Sequence, residues 1–204
     1  SYRNIQVLRE IKPSVNCVAL TASATPEVVE DIISELDFIQ PKVFKQSFSR
    51  PNLAYMVFEE SDKYYKLESI LKKQNASSII YVRNTKSTIE VSAFLEKKGI
   101  SAIYYHGGLS NTEKDNNLYD WLHNKAQVIV ATSAFGMGID KPNVRFVIHM
   151  DLPDNLEAYF QEAGRAGRDQ QKAFAVLLWE KSDIIDLQKN FELSYPPIET
   201  IKNV

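Results

Sequence analysis

The sequence predicts an α/β protein built on a mostly parallel β-sheet. Short apolar runs rich in β-branched residues alternate with helical patterns of about 10–15 residues, which is typical of βαβ units. The runs are continuously apolar, as expected of strands that helices cover on both faces. All seven glycines lie between Gly99 and Gly167. We therefore expect the loops with special backbone geometry in that part of the chain.

From residue 77 onward the pattern predicts five strands. Each is a short apolar run bounded by polar or turn-forming residues. The predicted strands are Ser77–Val82, Ser101–Tyr105, Gln127–Ala131, Val144–Met150 and Ala173–Trp179.

Helical patterns with recognisable start signals separate and follow these strands. The predicted helices are Thr85–Lys98 with Asn84 or Thr85 as its N-cap, one opened by a capping box of Ser110 and Glu113, one from Asp154 or Asn155 through Gly164 and beyond, and Lys181–Asn190.

The first 45 residues have the pattern of a separate piece. Tyr2–Ile11 is predicted as a helix, Asn16–Leu20 as a short strand, and Pro26–Leu36 as a helix capped by Thr25. A single strand between two helices cannot form a sheet. We interpret residues 1–45 as the end of a preceding domain, 46–193 as a complete domain and 194–204 as a linker to a further domain.

Composition and charge exclude several classes of protein. The 204 residues are 44% hydrophobic and 25% charged with a net charge of −2, which is typical of a folded chain and argues against coating nucleic acid by bulk charge. No apolar stretch approaches the roughly 18–20 residues of a membrane span, and no signal-peptide pattern opens the chain. Cys17 is the single cysteine, so we expect no internal disulfide and no zinc site built from cysteines, and no other metal-binding residues are predicted.

The strongest chemical signal is the segment Gln161–Asp169, QEAGRAGRD. Arg165 and Arg168 are three residues apart and would share one helical face, while the glycines keep the neighbouring surface low enough for a partner to approach. Arginine suits charge on a transferring phosphoryl group, because its planar guanidinium is always charged and donates in pairs. Two ordinary surface arginines beside acidic neighbours are the alternative, which the fixed spacing of Gln161 and both glycines disfavours.

QEAGRAGRD resembles motif VI of superfamily 2 helicases, Q-x-x-G-R-x-x-R. Four further segments are similar to that superfamily in the expected order: Ala19–Thr25 to motif III, Ser78–Thr85 to motif IV, Tyr105–Leu109 to the Y-H-x-G-L element, and Val130–Arg145 to motif V. The phrases A-F-G-M-G-I-D-K-P and S-R-P-N-L resemble RecQ DNA helicases. DEAD-box RNA helicases usually have A-R-G-I-D and H-R-x-G-R-x-x-R instead.

The resemblance implies a two-lobed RecA-like motor with ATP between the lobes and single-stranded DNA across both. The first lobe of such a motor holds the phosphate loop and the carboxylates that bind Mg²⁺. Neither G-x-x-x-x-G-K-[ST] nor D-E-x-H occurs here. We expect the end of a first lobe followed by a complete second lobe with a RecA-like three-layer fold. ATP and Mg²⁺ would be held mainly by the first lobe, and zinc only by a downstream domain.

The motifs imply roles for individual residues. Arg168 is the first choice for an arginine finger and Arg165 the second. The other implied sites are Gln161, Asp140 and Gly138 for the nucleotide, Thr21, Ser23 and Thr25 for coupling ATP to nucleic acid, and Thr132, Arg83, Asn84, Thr85 and His106 for the DNA backbone.

A structural interpretation stays open at several of these positions. Asp140 would bend a turn, Thr132 would cap a strand end, Asn84 or Thr85 would cap a helix, and His106 would close a turn, which is the interpretation we favour for His106.

We therefore predict the second motor lobe of an ATP-dependent 3′-to-5′ DNA helicase of RecQ type, acting in DNA repair and recombination. Its partners would be ATP and single-stranded and duplex-junction DNA, in the cytoplasm or nucleoid, or in the nucleus of a eukaryote. The alternatives are a superfamily 2 RNA helicase lobe and a non-catalytic nucleic-acid-binding module. Apolar side chains in residues 1–45 suggest a homodimer through that segment.

Overall fold

The computed structural model describes residues 7, 11–12, 15–21, 24–45, 47, 49–136 and 138–194. The chain divides into two units, Ser1–Ser49 and Arg50–Val204. In the first unit, helix α1 spans Pro26–Glu35, close to its predicted bounds. Thr25 is its N-cap, since the side-chain hydroxyl accepts from the backbone N–H of Val28 at 3.4 Å.

The strand predicted at Asn16–Leu20 is wrong, because these residues have no regular structure. Val18 is 77% exposed and Leu20 is 91% exposed. A strand needs a neighbour for its backbone hydrogen bonds, and the described residues of this unit contain no other strand. The helix predicted over Tyr2–Ile11 lies outside the described residues except at Val7 and Ile11.

The second unit is built on a parallel sheet, as predicted. Its described part contains six strands in the order β1-β6-β5-β2-β4-β3, and every pair is parallel. The strands are β1 Leu53–Glu59, β2 Ser78–Tyr81, β3 Ala102–Tyr105, β4 Val128–Ala131, β5 Phe146–His149 and β6 Ala173–Trp179. The edge strand β1 was not among the predicted strands.

Helices connect most of these strands. Their bounds are α2 Lys63–Leu71, α3 Thr85–Lys97, α4 Asn111–Leu122, α5 Leu156–Ala163 and α6 Lys181–Ser194. The N-caps are Asn84 for α3, Ser110 for α4 with its predicted capping box, and Asn155 for α5. The predicted linker begins at the last residue of α6, Ser194, and its remaining residues lie outside the described part of the chain.

Apolar side chains cover both faces of the sheet. On one face Leu67 of α2 and Leu95 of α3 are fully buried in one cluster with strand residues such as Ile148. On the other face Trp121 of α4 and Ala163 of α5 belong to a second cluster. The described elements of this unit therefore form three layers, helix, sheet and helix.

The parallel sheet determines where the loops gather. Because all strands run in one direction, their carboxyl ends share one edge, where parallel α/β folds usually bind ligands. The loops that follow β2, β3 and β4 begin there, with Arg83, His106 and Thr132 close to their starts. In the part of the chain that the structure describes, no helix has the length and apolar character needed to span a membrane.

Candidate functional site

Arg165 and Arg168 lie in the turns that follow α5, which ends at Ala163, so they do not share a helical face as predicted. Arg165 packs against the loop that follows β4. Its Nη1 donates to the carbonyl oxygen of Gly136. Gly136 has a φ of 143°, and a Cβ at this position would overlap with the Arg165 guanidinium. Glycine is required here both for the backbone conformation and for the close approach of the arginine.

Arg168 contacts the same loop a few residues further on. Its Nη1 donates to the carbonyl oxygen of Ile139 at 2.9 Å and to Oδ1 of Asp140 at 3.0 Å. The Arg168 side chain is 37% exposed and that of Asp140 is 79% exposed. Exposed ion pairs contribute little net free energy, so the pair between Arg168 and Asp140 can be broken at low cost. The structure thus brings together three of the predicted nucleotide-site residues, Arg165, Arg168 and Asp140.

A row of buried side chains lies next to Arg165, beginning with Tyr81. The Tyr81 hydroxyl donates to the carbonyl oxygen of Phe135 at 3.1 Å. Burial raises the pKa of that hydroxyl, and the nearby Arg165 charge offsets part of the rise. Tyr81 stacks on His149 with ring centroids 5.1 Å apart, and Nε2 of His149 lies 2.8 Å from a carboxylate oxygen of Glu162. These three side chains therefore connect β2, β5 and α5 close to Arg165.

Tyr81, His149 and Glu162 were not predicted as site residues. The sequence shows His149 as a strand-end residue and Glu162 as one acid of the QEAGRAGRD segment, and the pairing between them requires the fold. The part of the chain that the structure describes holds no group of three or more His, Cys, Asp or Glu residues that could bind a metal ion.

Lys141 is a further residue that was not predicted and whose contacts only the structure shows. It is 5% exposed, and its Nζ donates to the carbonyl oxygens of Trp121 and Leu122 at 2.9 and 2.8 Å and to Asn124 at 2.9 Å. Burial lowers the pKa of this amine. Because the carbonyls at a helix C-terminus have no intrahelical partners, Lys141 anchors the loop after β4 to the end of α4.

The predicted DNA-contacting residues lie along the carboxyl edge of the sheet. The backbone N–H of Thr132 donates to the carbonyl oxygen of Tyr105 at 3.3 Å, which joins the loop after β4 to the end of β3. The Arg83 guanidinium donates to the carbonyl oxygen of Leu152 at 2.9 Å, and its backbone N–H donates to Asp151 at 2.8 Å. Arg83 therefore ties the loop after β2 to the loop after β5.

Asn84 and Thr85 open α3 at this edge. Oδ1 of Asn84 accepts from the backbone N–H of Ser87 at 2.9 Å, so Asn84 is the N-cap and Thr85 is the first helical residue. The Thr85 side chain is exposed. The N-terminus of α3, with its partial positive charge, therefore faces the carboxyl edge.

His106 follows β3 and is 6% exposed. Its ring stacks on Tyr104 with centroids 5.8 Å apart, and its two ring nitrogens find no hydrogen-bond partner among the described residues. Its backbone carbonyl accepts from Leu109 at 3.2 Å and so closes a turn.

The remaining predicted residues are more dispersed. Gln161 is exposed on α5, and Gly138 is exposed with a φ of 76°. Thr21 and Thr25 belong to the first unit, where Thr21 is exposed and Thr25 caps α1. Ser23 lies outside the described residues.

The fold and the arginine-bearing loop define a class of protein. Residues 62–170 match the family described as "Helicase conserved C-terminal domain", and the chain belongs to that family. It is the C-terminal domain of a superfamily 2 helicase and is RecQ-like, as the motifs predicted.

Comparison with individual proteins agrees with this. The chain is 39% identical over 197 residues to the RecQ-like DNA helicase BLM of Xenopus laevis, covering 94% of this chain and 14% of that protein. It is 40% identical over 188 residues to the ATP-dependent DNA helicase RecQ of Bacillus subtilis (strain 168), covering 91% of this chain and 32% of that protein. The chain thus spans less than a third of the length of these relatives.

A solved structure supports the fold. S. cerevisiae Dbp5 bound to RNA and ADP BeF3 superposes with a TM-score of 0.71 at 21% identity, covering 96% of this chain and 53% of that chain. At this identity the likeness concerns the fold alone. The predicted RecA-like α/β fold is confirmed.

Proposed function

We propose that the chain is the second motor lobe of an ATP-dependent 3′-to-5′ DNA helicase of RecQ type. One observation carries the proposal: Arg165 and Arg168 of QEAGRAGRD both contact the glycine-containing loop after β4, at Gly136 and at Ile139 and Asp140. Polarity and the preference for DNA rest on the resemblance and on the relatives named above.

The residues present fit part of a nucleotide. Two guanidinium groups that are always charged suit phosphate oxygens, and the exposed Asp140 carboxylate suits a ribose hydroxyl. The described residues include no metal-binding cluster, and the sequence has no phosphate loop. We propose that a preceding lobe holds most of ATP, together with Mg²⁺, and that residues 1–45 are the C-terminal end of that lobe.

In this proposal Arg168 is the arginine finger and Arg165 supports it. When bound, ATP supplies the transferable phosphoryl group. Arg168 leaves Asp140 and donates hydrogen bonds to the oxygens of that group, on which negative charge develops. Arg165 keeps the loop after β4 in place through its hydrogen bond to Gly136. Gln161 and Gly138 complete the nucleotide-facing surface, and Thr21, Ser23 and Thr25 couple it to nucleic acid.

We further propose that the carboxyl edge of the sheet contacts the DNA backbone. Thr132, Arg83, Asn84, Thr85 and His106 all follow strand ends there, and the N-terminus of α3 adds backbone N–H donors for a phosphate. Contacts of this kind recognise phosphate and sugar without selecting a base sequence. Such a role places the protein in an intracellular compartment that holds DNA.

Replacing the finger tests the proposal. In the full-length parent protein we expect Arg168→Ala to leave nucleotide binding nearly unchanged and to lower DNA-stimulated ATP turnover by roughly a thousandfold or more. Lys172→Ala removes an exposed positive charge nearby and serves as the control, with turnover close to that of the parent. Normal DNA-stimulated hydrolysis in Arg168→Ala would reject the assignment.

The two alternative functions separate in the same assays. Unwinding of an RNA duplex in preference to a DNA duplex would indicate an RNA helicase lobe. Nucleic-acid binding by the parent protein without any ATP hydrolysis would indicate a non-catalytic module.

Self-association through residues 1–45 stays a proposal. It is supported by large apolar side chains that are exposed within the first unit, namely Val18, Leu20, Ile39 and Phe44. Sedimentation of the 204-residue chain should show a concentration-dependent dimer, and a monomer at all concentrations would reject the proposal.

A further inference from the structure

We propose that Arg50 and Asn52 are positioning residues that hold residues 164–171, the arginine loop, in the conformation that presents Arg165 and Arg168. Both belong to the S-R-P-N-L segment, residues 49–53, which leads into β1 at Leu53. The consequence for catalysis rests on the function proposed above.

Arg50 donates hydrogen bonds to the backbone in the first half of the arginine loop. Its Nη1 donates to the carbonyl oxygen of Gly164 at 2.7 Å, and its Nη2 donates to those of Ala166 at 2.7 Å and Gly167 at 2.6 Å. The Gly164 carbonyl belongs to the C-cap residue of α5, and those of Ala166 and Gly167 lie in the turns that follow the helix. A half-buried guanidinium satisfies them together because its donors have a fixed fork geometry.

Asn52 holds the second half of the loop. Its Nδ2 donates to the carbonyl oxygens of Gly167 at 2.8 Å and Gln171 at 3.0 Å. A Cβ at Gly167 would lie 2.7 Å from that same nitrogen. The absence of a side chain at 167 therefore allows Asn52 to reach the backbone.

Together the two side chains fasten the backbone before, between and after the two arginines. Their hydrogen bonds go to main-chain atoms, so they restrict where the loop lies without contacting the Arg165 or Arg168 guanidinium. A displacement of about 1 Å in a catalytic group can cost on the order of a hundredfold in rate. We infer that Arg50 and Asn52 keep the arginines within that tolerance.

Hydrogen exchange on the 204-residue chain tests whether Arg50 and Asn52 hold the arginine loop, and this measurement needs no catalytic activity. In Arg50→Ala and Asn52→Ala we expect amides of the arginine loop to exchange faster by about tenfold or more, because local opening becomes easier. Lys63→Met is the matched control. It removes a cation that donates to Met150 and Asp183, outside the arginine loop. Loop exchange in Arg50→Ala that equals exchange in the control would overturn the proposal.

Kinetics of the full-length parent protein test the consequence for catalysis. We expect Arg50→Ala to lower kcat by about ten- to a hundredfold while KM for ATP changes by less than about threefold, since orientation and not binding is lost. The kcat of Arg50→Lys should lie between those of the parent and of Arg50→Ala, because lysine keeps the positive charge but lacks the forked donors of a guanidinium. An unchanged kcat in Arg50→Ala would overturn this part. Should that variant fail to fold, Arg50→Lys and Asn52→Ala decide the question by the same criteria.

The outcomes separate this inference from the proposed function. Normal hydrolysis in Arg168→Ala rejects the proposed function whatever the exchange data show. If ATP turnover falls severely in Arg168→Ala while amide exchange and kcat stay normal in Arg50→Ala, only the positioning role of Arg50 and Asn52 is rejected.

Discussion

Asp169, the last residue of QEAGRAGRD, pairs with Arg145, which directly precedes β5. Nη2 of Arg145 donates to Oδ1 of Asp169 at 2.6 Å. This hydrogen bond holds the pKa of the Asp169 carboxyl below its usual value of 3.8. A carboxyl with a lowered pKa in the folded state stabilises the fold above its usual pKa, and this contribution is lost as the pH falls through the lowered value.

Asp169→Asn should therefore show a stability loss that depends on pH. We expect a lower free energy of unfolding than the parent chain at pH 7, and a difference that shrinks towards zero as the pH falls below 3.8. Urea unfolding at a series of pH values measures both. Asp186→Asn, an exposed position on α6, is the control. A difference from the parent that does not change with pH would contradict the assignment.

Glu162 is the acid most enclosed within the site, at 9% exposure. Glu162→Ala leaves Nε2 of the buried His149 without its carboxylate, so we expect the free energy of unfolding to fall by about 1–3 kcal/mol. Glu157→Ala, exposed on the same helix, should stay within about 0.5 kcal/mol of the parent. Equal losses in the two variants, measured by chemical denaturation, would show that the His149 contact contributes nothing.

At the scale of elements, the loop between β4 and β5 differs from the other connections between strands because its described residues form no helix. It is held by backbone turns, by Lys141 at α4 and by Arg165 at Gly136. The loop therefore depends on glycine geometry at the point where the arginine reaches it.

Gly136→Ala tests that dependence. The new methyl group meets both a positive φ and the Arg165 guanidinium, so we expect a loss of about 1–3 kcal/mol in stability and a lower turnover in the full-length parent protein. In Gly107→Ala no described heavy atom lies within 4 Å of the new Cβ, and stability should not change. Unfolding midpoints of the two variants give the comparison. Equal midpoints would contradict the predicted contact.

The edge strand β1 was missed although its sequence carries a strand signal. Along Leu53–Glu59 burial does not alternate, and Tyr55 and Val57 are exposed. The strand pairs with β6 alone. Its sequence is nonetheless a continuous apolar run from Leu53 to Phe58, like those of the predicted strands, so the signal was present in the sequence.

At the scale of the whole molecule, the described residues offer cations for a phosphate but no metal cluster, and the sequence has no phosphate loop. We therefore expect no phosphate release above background when the 204-residue chain is incubated with ATP, Mg²⁺ and single-stranded DNA. The full-length parent protein is the positive control in the same colorimetric assay. Hydrolysis by the chain that Arg168→Ala abolishes would contradict the proposed division of labour between lobes.

Much of the fold was predictable because its signals are local. The capping residues Asn84, Ser110 and Asn155 act on backbone groups three residues away, so the sequence alone shows to within one residue where α3, α4 and α5 begin. The wrong strand at Asn16–Leu20 has the complementary cause. An apolar run can predict a strand, but only a neighbouring strand can make it one.

By itself the sequence determined the α/β class, the central strands and the helicase motifs, because periodicity, caps and motif spacing are written within short stretches of chain. Only the tertiary structure decided how the site is assembled. Arg50 meets Gly164 across 114 residues, and His149 meets Glu162 only once β5 and α5 have packed. Such contacts depend on β1 pairing with β6 and on the order of the strands, which no local pattern specifies.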